Sequence, residues 1–88
     1  MKRNPDFLLR DVAGTKVIVP IGAAVTVFPG MITVNETGAY LWELLEAEHT
    51  ADTLAAALAA RYEVLPEQAK ADVEAFLAKL QPTGAVVG

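Results

Sequence analysis

Met31-Ile32-Thr33-Val34-Asn35-Glu36-Thr37-Gly38-Ala39-Tyr40-Leu41-Trp42-Glu43-Leu44-Leu45 is where this chain changes character. Up to Val34 the residues are short, β-branched or apolar and follow a Pro29-Gly30 turn, which is strand chemistry. From Glu36 onward Ala, Leu and Glu dominate, which is helix chemistry. Asn35 stands between the two and is a natural N-cap, because its side-chain oxygen can accept from the free N–H groups of a first helical turn. One residue thus divides a strand half (1–35) from a helix half (36–80), and strands followed by helices indicate an α+β domain.

Upstream of this boundary, Phe7–Val12 reads as a first strand and Lys16–Val19 as a second. Ala13-Gly14-Thr15 between them is a short Gly-containing connection, so the pair is a hairpin. Pro20 lacks an N–H and should end the second strand or sit on its edge. Ile21–Phe28 is apolar but irregular, and Met31–Val34 is the third strand. Downstream, a helix over about 36–47 places Tyr40, Leu41, Leu44 and Leu45 on one face, with Trp42 flanking it. Thr50 caps a second helix over about 51–61, with Leu54, Leu58 and Ala55 inward. Pro66 suits the first position of a third helix, which spans about 66–80 and repeats Ala69, Val73, Phe76, Leu77 and Leu80 at the helical period. Pro82 and Gly84 end it, and Ala85-Val86-Val87 suits a short closing strand or loose packing. The expected architecture is one winged-helix-like domain over residues 1–88, with a three-stranded antiparallel sheet covering one side of a three-helix cluster. So few strands leave a sheet edge open, a feature that natural proteins cover, blunt or use.

Composition removes several functions. The chain has 88 residues, 53% of them apolar, and a domain this small buries only roughly two-thirds of its unfolded surface. A deep catalytic cleft would take volume from that core, so function is expected on the surface. With no cysteine there is no disulfide, thiolate nucleophile, zinc knuckle or iron–sulfur cluster, and the absence of such staples favours the cytoplasm. Met1-Lys2-Arg3 resembles the start of a signal peptide, but Asn4, Pro5, Asp6, Arg10 and Asp11 interrupt the apolar run it needs. The longest apolar stretch, Val17 to Phe28, contains Pro20 and Gly22 and falls short of the ~18 residues of a membrane span. Seven basic against eleven acidic residues give a net charge of −4. The basic residues are scattered, which argues against nucleic acid as the main partner.

No catalytic or metal-binding constellation emerges. His49 is the only histidine, precedes the Thr50 cap and reads as a solvated loop residue without companions for a metal. Serine is absent altogether. Glu43 and Glu46, like Glu67, Lys70 and Glu74, fall on polar helix faces rather than pairing in a shielded site. The glycines are too dispersed to cradle a phosphate. No cofactor is implied, and the chain is expected not to be an enzyme. The second and third helices have the spacing of a helix-turn-helix, and a winged-helix DNA binder is one alternative. Its recognition helix would nevertheless carry Glu67, Asp72 and Glu74 and no Arg or Asn, the residues base reading leans on. The remaining candidate is the open edge of Met31–Val34 beside the third helix. An extended peptide can add itself there, on a floor of Ile32, Val34, Phe76 and Ala75. Val34, Val73 and Phe76 are needed equally to close the core, so periodicity leaves both readings open. A scaffold that dimerises through the same edge is a third.

The stretch from Val34 to Leu45 resembles the signature of the PqqD-like family, in which a hydrophobic residue precedes Asn-Glu-Thr-Gly-Ala and a Trp-containing helix. Val19-Pro20-Ile21-Gly22 is similar to the family's strand end, Arg61-Tyr62 to the exit of its second helix, and Ala71-Asp72-Val73-Glu74-Ala75-Phe76-Leu77 to its last helix. The resemblance extends over nearly the whole chain. It implies a precursor-peptide recognition element, which binds the leader of a ribosomally made peptide and presents it to a modifying enzyme, often a radical SAM protein. In such domains the leader adds as a strand beside the third strand and rests on the third helix. Carried over, this implies a peptide site formed by Met31, Ile32, Thr33 and Val34 with Asp72, Ala75, Phe76 and Lys79, where Lys79 would meet an acidic leader residue. Asn35 and Gly38 read as structural, a cap and a point of close packing. Leu65-Pro66 stands where the family commonly has a polar or acidic cap, so the entry to the third helix is expected to differ.

Overall fold

The computed structural model describes residues 1–88 as an α+β, winged-helix-like domain. In chain order the elements are β1 (Lys2–Arg3), β2 (Phe7–Val12), β3 (Thr15–Pro20), α1 (Ala24–Val27), β4 (Ile32–Val34), α2 (Glu36–Leu44), α3 (Ala51–Tyr62), α4 (Pro66–Leu80) and β5 (Val86–Val87), with a 3₁₀ turn at Gln81–Thr83. Strands β2, β3 and β4 form an antiparallel sheet in that order, and β1 pairs with β5 in a separate two-stranded ribbon. The third helix expected from sequence is therefore α4. The sequence did not announce β1, and the irregular stretch 21–28 contains the one-turn α1.

The hairpin sets the phase of the whole sheet. Val12 pairs with Thr15, leaving the two-residue loop Ala13-Gly14 with φ of 53° and 84°. Positive φ at both positions is the type I′ turn, whose twist matches that of the strands. The Asp11 carboxylate accepts the Gly14 N–H at 2.9 Å. In such a hairpin the pair flanking the loop is hydrogen-bonded and the pairs then alternate. Val12–Thr15, Arg10–Val17 and Leu8–Val19 are thus bonded, whereas Asp11–Lys16, Leu9–Ile18 and Phe7–Pro20 are not. Pro20 falls where β2 asks for no N–H, which is why β3 can run through it.

Ala13 pays for this turn in strain, since a left-handed conformation costs an L-residue roughly 1–2 kcal/mol. Ala13→Asn, which creates the favoured Asn-Gly turn, is expected to stabilise the protein by about 0.5–1 kcal/mol. Thermal unfolding should show this as a rise of a few degrees in Tm. An unchanged Tm would mean that the loop is not strained.

Period 2 places Ile32 and Val34 in the core and Thr33 in solvent. The helix caps follow the sequence. Asn35 Oδ1 accepts the Gly38 N–H at 2.8 Å, and Thr50 forms a capping box with Thr53. Leu65 precedes α4 without a side-chain cap, and Pro66 occupies its first turn. The buried face of α4 is Ala69, Val73, Phe76, Leu77 and Leu80, as its period requires, and Leu54 and Leu58 of α3 are buried, with Ala55 partly so.

Two expectations about α2 are corrected. Ala39 is buried, as is the face Gly38, Leu41, Trp42 and Leu45, and Tyr40 and Leu44 lie at the margin. This i, i+3, i+4, i+7 face makes Trp42, at 2% exposure, a core residue rather than a flanking one. Helix α2 also ends at Leu44 and not near 47. Beyond it Glu46 and Ala47 bond three residues back, to Glu43 and Leu44. The Leu45 carbonyl accepts from Arg3 N–H at 2.8 Å, and the His49 N–H turns to the Met1 carbonyl at 2.9 Å. The N-terminal segment thus takes the partners that would have extended the helix. His49 is partly buried, with Nδ1 3.0 Å from Thr53 Oγ1. The Glu48 carboxylate accepts from the terminal ammonium, and that hydrogen bond holds this exposed carboxyl below the usual carboxylate range.

Candidate functional site

Because β3 has β2 on one side and β4 on the other, the hairpin phase carries across it. Thr15, Val17 and Val19 turn their main-chain groups to β2, so Lys16 and Ile18 turn theirs to β4, where they meet Val34 and Ile32. Thr33, opposite Val17, therefore falls at a non-bonded position and directs both its N–H and its C=O away from the sheet. An independent contact agrees: the Thr33 carbonyl accepts from Lys79 Nζ of α4 at 2.5 Å.

Between this edge and α4 runs a groove of about 480 Å³, lined by Thr33, Val34, Asn35, Thr37, Gly38, Leu41, Asp72, Ala75, Phe76 and Lys79. Asp72, Ala75, Phe76 and Lys79 recur at i, i+3, i+4 and i+7 and form one stripe of α4. Phe76 and Leu41 are core side chains that surface in the floor, and Ala75 is exposed. Asp72 is half-buried, and its carboxylate accepts from Gln68 Nε2 at 2.8 Å. Gly38 lets strand, helix and Phe76 converge. A Cβ there would stand 3.2 Å from Val34 Cβ and from Asn35 Oδ1.

The structure thus gathers Thr33, Val34, Asp72, Ala75, Phe76 and Lys79 of the residues expected from sequence. Ile32 lies beneath the sheet at 4% exposure, and Met31 is 61% exposed but precedes the strand and does not line the groove. Asn35, Thr37, Gly38 and Leu41 wall it as well, although the 35–38 motif reads from sequence as structural only. The signal for them was available: α2 begins within two residues of the end of β4, so its first turn has to border that strand.

A larger hollow of about 810 Å³ lies at the other sheet edge, lined by β1, β2, α2 and Val87. Its walls carry Lys2, Arg3, Glu43 and Glu46. Arg3 spans part of it, its guanidinium 5.9 Å from the Trp42 ring and Nη1 donating to the Trp42 carbonyl at 3.4 Å. Size favours this hollow. The groove beside β4 has two charged residues among its ten and joins an outward-facing main chain to a complete helix stripe. No group of three or more His, Cys, Asp or Glu is gathered as for a metal ion, and no helix is long and apolar enough to cross a membrane.

A family model described as coenzyme PQQ synthesis protein D (PqqD) matches residues 16–86. Among solved structures, TbiB1 in complex with the TbiA(β) leader peptide superposes with a TM-score of 0.74 at 19% identity, covering 100% of this chain and 96% of that one. Lasso peptide synthetase B1 complexed with the leader peptide superposes with a TM-score of 0.72 at 21% identity, covering 99% and 96%. At these identities the likeness is one of fold. No curated protein matches the chain.

Proposed function

The chain belongs to the family of coenzyme PQQ synthesis protein D, and from that premise we propose that it is a non-catalytic peptide-binding module that takes up the leader segment of a ribosomally made precursor and presents it to a modifying enzyme. The observation that carries the reading is Thr33, whose N–H and C=O both face outward over a groove backed by a continuous stripe of α4. A leader strand beside β4 would exchange both bonds with Thr33, while its alternate side chains reach Phe76, Leu41 and Ala75. Two proteins that share the fold were captured with leader peptides, which supports the same use of it here. Presentation to a modifying enzyme, of the radical SAM class or another, is the part of this reading that the family membership supports. The protein would act in the cytoplasm, where precursor peptides are made.

The test is an NMR titration of the ¹⁵N-labelled protein with leader segments of short peptides encoded beside its gene. Amide shifts should concentrate at Thr33, at the first turn of α2 and on the Asp72–Lys79 stripe. Shifts confined to Arg3, Leu9, Glu43 and Glu46 would place the peptide in the larger hollow and refute the β4 site. An unchanged spectrum with every candidate would remove the function.

A further inference from the structure

Resting on the reading that a peptide strand adds to β4, we propose that the protein selects leaders bearing a carboxylate within a residue or two of the one that pairs with Thr33, and that Lys79 both guards the empty edge and reads that carboxylate. Thr33 is the one residue of β4 with an outward main chain, and Lys79 Nζ already occupies its carbonyl at 2.5 Å. The contact joins residues 46 apart in sequence. It puts a lysine on the open strand edge, a device that discourages unintended pairing between sheets. A strand that docks needs the same carbonyl as its acceptor, so the ammonium has to leave.

Nothing in the protein receives it. The ion pairs are Met1 with Glu48 and Lys16 with Asp11, so Lys79 has no carboxylate of its own. Asp72, the other charge of the groove, is two helical turns away, roughly 10 Å along the axis. It already accepts from Gln68. Of the two charges in the groove, one is served and the other is held only by the bond that docking breaks. A neutral strand displaces Lys79 and returns nothing, while partly covering an ammonium that had been hydrated. A strand with a nearby Asp or Glu replaces the lost bond with a charge-assisted one. The same lysine therefore opposes neutral peptides and favours acidic ones, and specificity comes from that difference.

Overlapping synthetic peptides tiling the short reading frames beside the gene serve as the probe, each made in native form and with Asp and Glu changed to Asn and Gln. Their binding to the full chain is read by fluorescence anisotropy for the wild type, Lys79→Met and Lys79→Glu, with amide spectra confirming that each variant is folded. Neutralising the peptide is expected to weaken wild-type binding roughly threefold to tenfold. Lys79→Met should cross this pattern, binding the acidic form less tightly than the wild type does and the neutral form more tightly. Lys79→Glu should prefer a peptide with Lys at the acidic position. A lysine that merely packs against β4 would shift both peptide forms alike. If peptides bind wild type and Lys79→Met equally whatever their charge, the guard-and-reader role is wrong and strand addition stands. If no peptide binds any form, the peptide-binding reading fails and this proposal fails with it.

Discussion

Thr33→Pro is expected to lower leader affinity roughly fivefold to 150-fold while leaving the protein folded. Proline has no N–H and its ring projects where that hydrogen was, so it removes the outward donor of β4 and holds an arriving strand away from the neighbouring carbonyl. Two main-chain bonds at about 0.5–1.5 kcal/mol each, lost together, correspond to about 1–3 kcal/mol, or that range of affinity. The fold should survive because Thr33 contributes no bond to the ladder with β3, and proline is tolerated where a strand's N–H faces solvent. Ile32→Pro and Val34→Pro are the contrasting controls. Their main chains bond to Ile18 and Lys16 and their side chains are buried, so these two should unfold the domain. Calorimetric titration with a leader, alongside circular dichroism, separates the cases. A folded Thr33→Pro protein that binds as the wild type does would rule out strand addition at β4.

The second large effect concerns stability. Trp42→Ala removes a ring that is 2% exposed from the junction of α2 with the N-terminal ribbon, where Arg3 packs over it. Truncating a buried aromatic costs about 3–5 kcal/mol. At roughly 0.05–0.15 kcal/mol per residue, a domain of this size has only about 4–13 kcal/mol in total. The variant should be largely unfolded at 37 °C, or at least have a urea midpoint far below that of the wild type. Trp42→Phe, which retains most of the apolar volume, should fall between them. A near-normal midpoint for Trp42→Ala would mean that Trp42 packs at the margin of α2, as the sequence pattern had suggested.

Trp42 also shows where sequence reading reaches its limit. Two overlapping stripes are available on α2: Tyr40, Leu41, Leu44 and Leu45, or Gly38, Leu41, Trp42 and Leu45. Both obey the helical period, and the first contains more obvious apolar residues. The choice depended on what lay opposite the helix. That is partly the β1–β5 ribbon, made from the two ends of the chain, which two-residue strands do not reveal locally.

The candidate site divides the same way. Alternation and a helical stripe made the strand of residues 31–34 (one residue longer than β4), the Asn35 cap and α4 legible, and the family signature pointed to the groove between them. Sequence alone places Ile32 among the peptide-binding residues, because a strand read in isolation presents every residue's main chain equally. Only the partner strand decides which residues turn inward, and the register of β4 on β3 gave that role to Ile32 and Val34.

By itself, then, the sequence determined what is local. The order of sheet and helices, a Gly-containing hairpin connection after Val12, the caps at Asn35 and Thr50 and the proline start of α4 all follow from backbone preference and from hydrogen bonds within a few residues. The strand register trimmed that connection to Ala13-Gly14. The tertiary structure decided what depends on elements distant in the chain. It turned Thr33 outward, brought Lys79 onto its carbonyl, set the first turn of α2 into the groove wall and drew Trp42 into the core. Backbone propensities are written in neighbouring side chains, whereas these contacts exist only once packing has fixed where each element lies against the others.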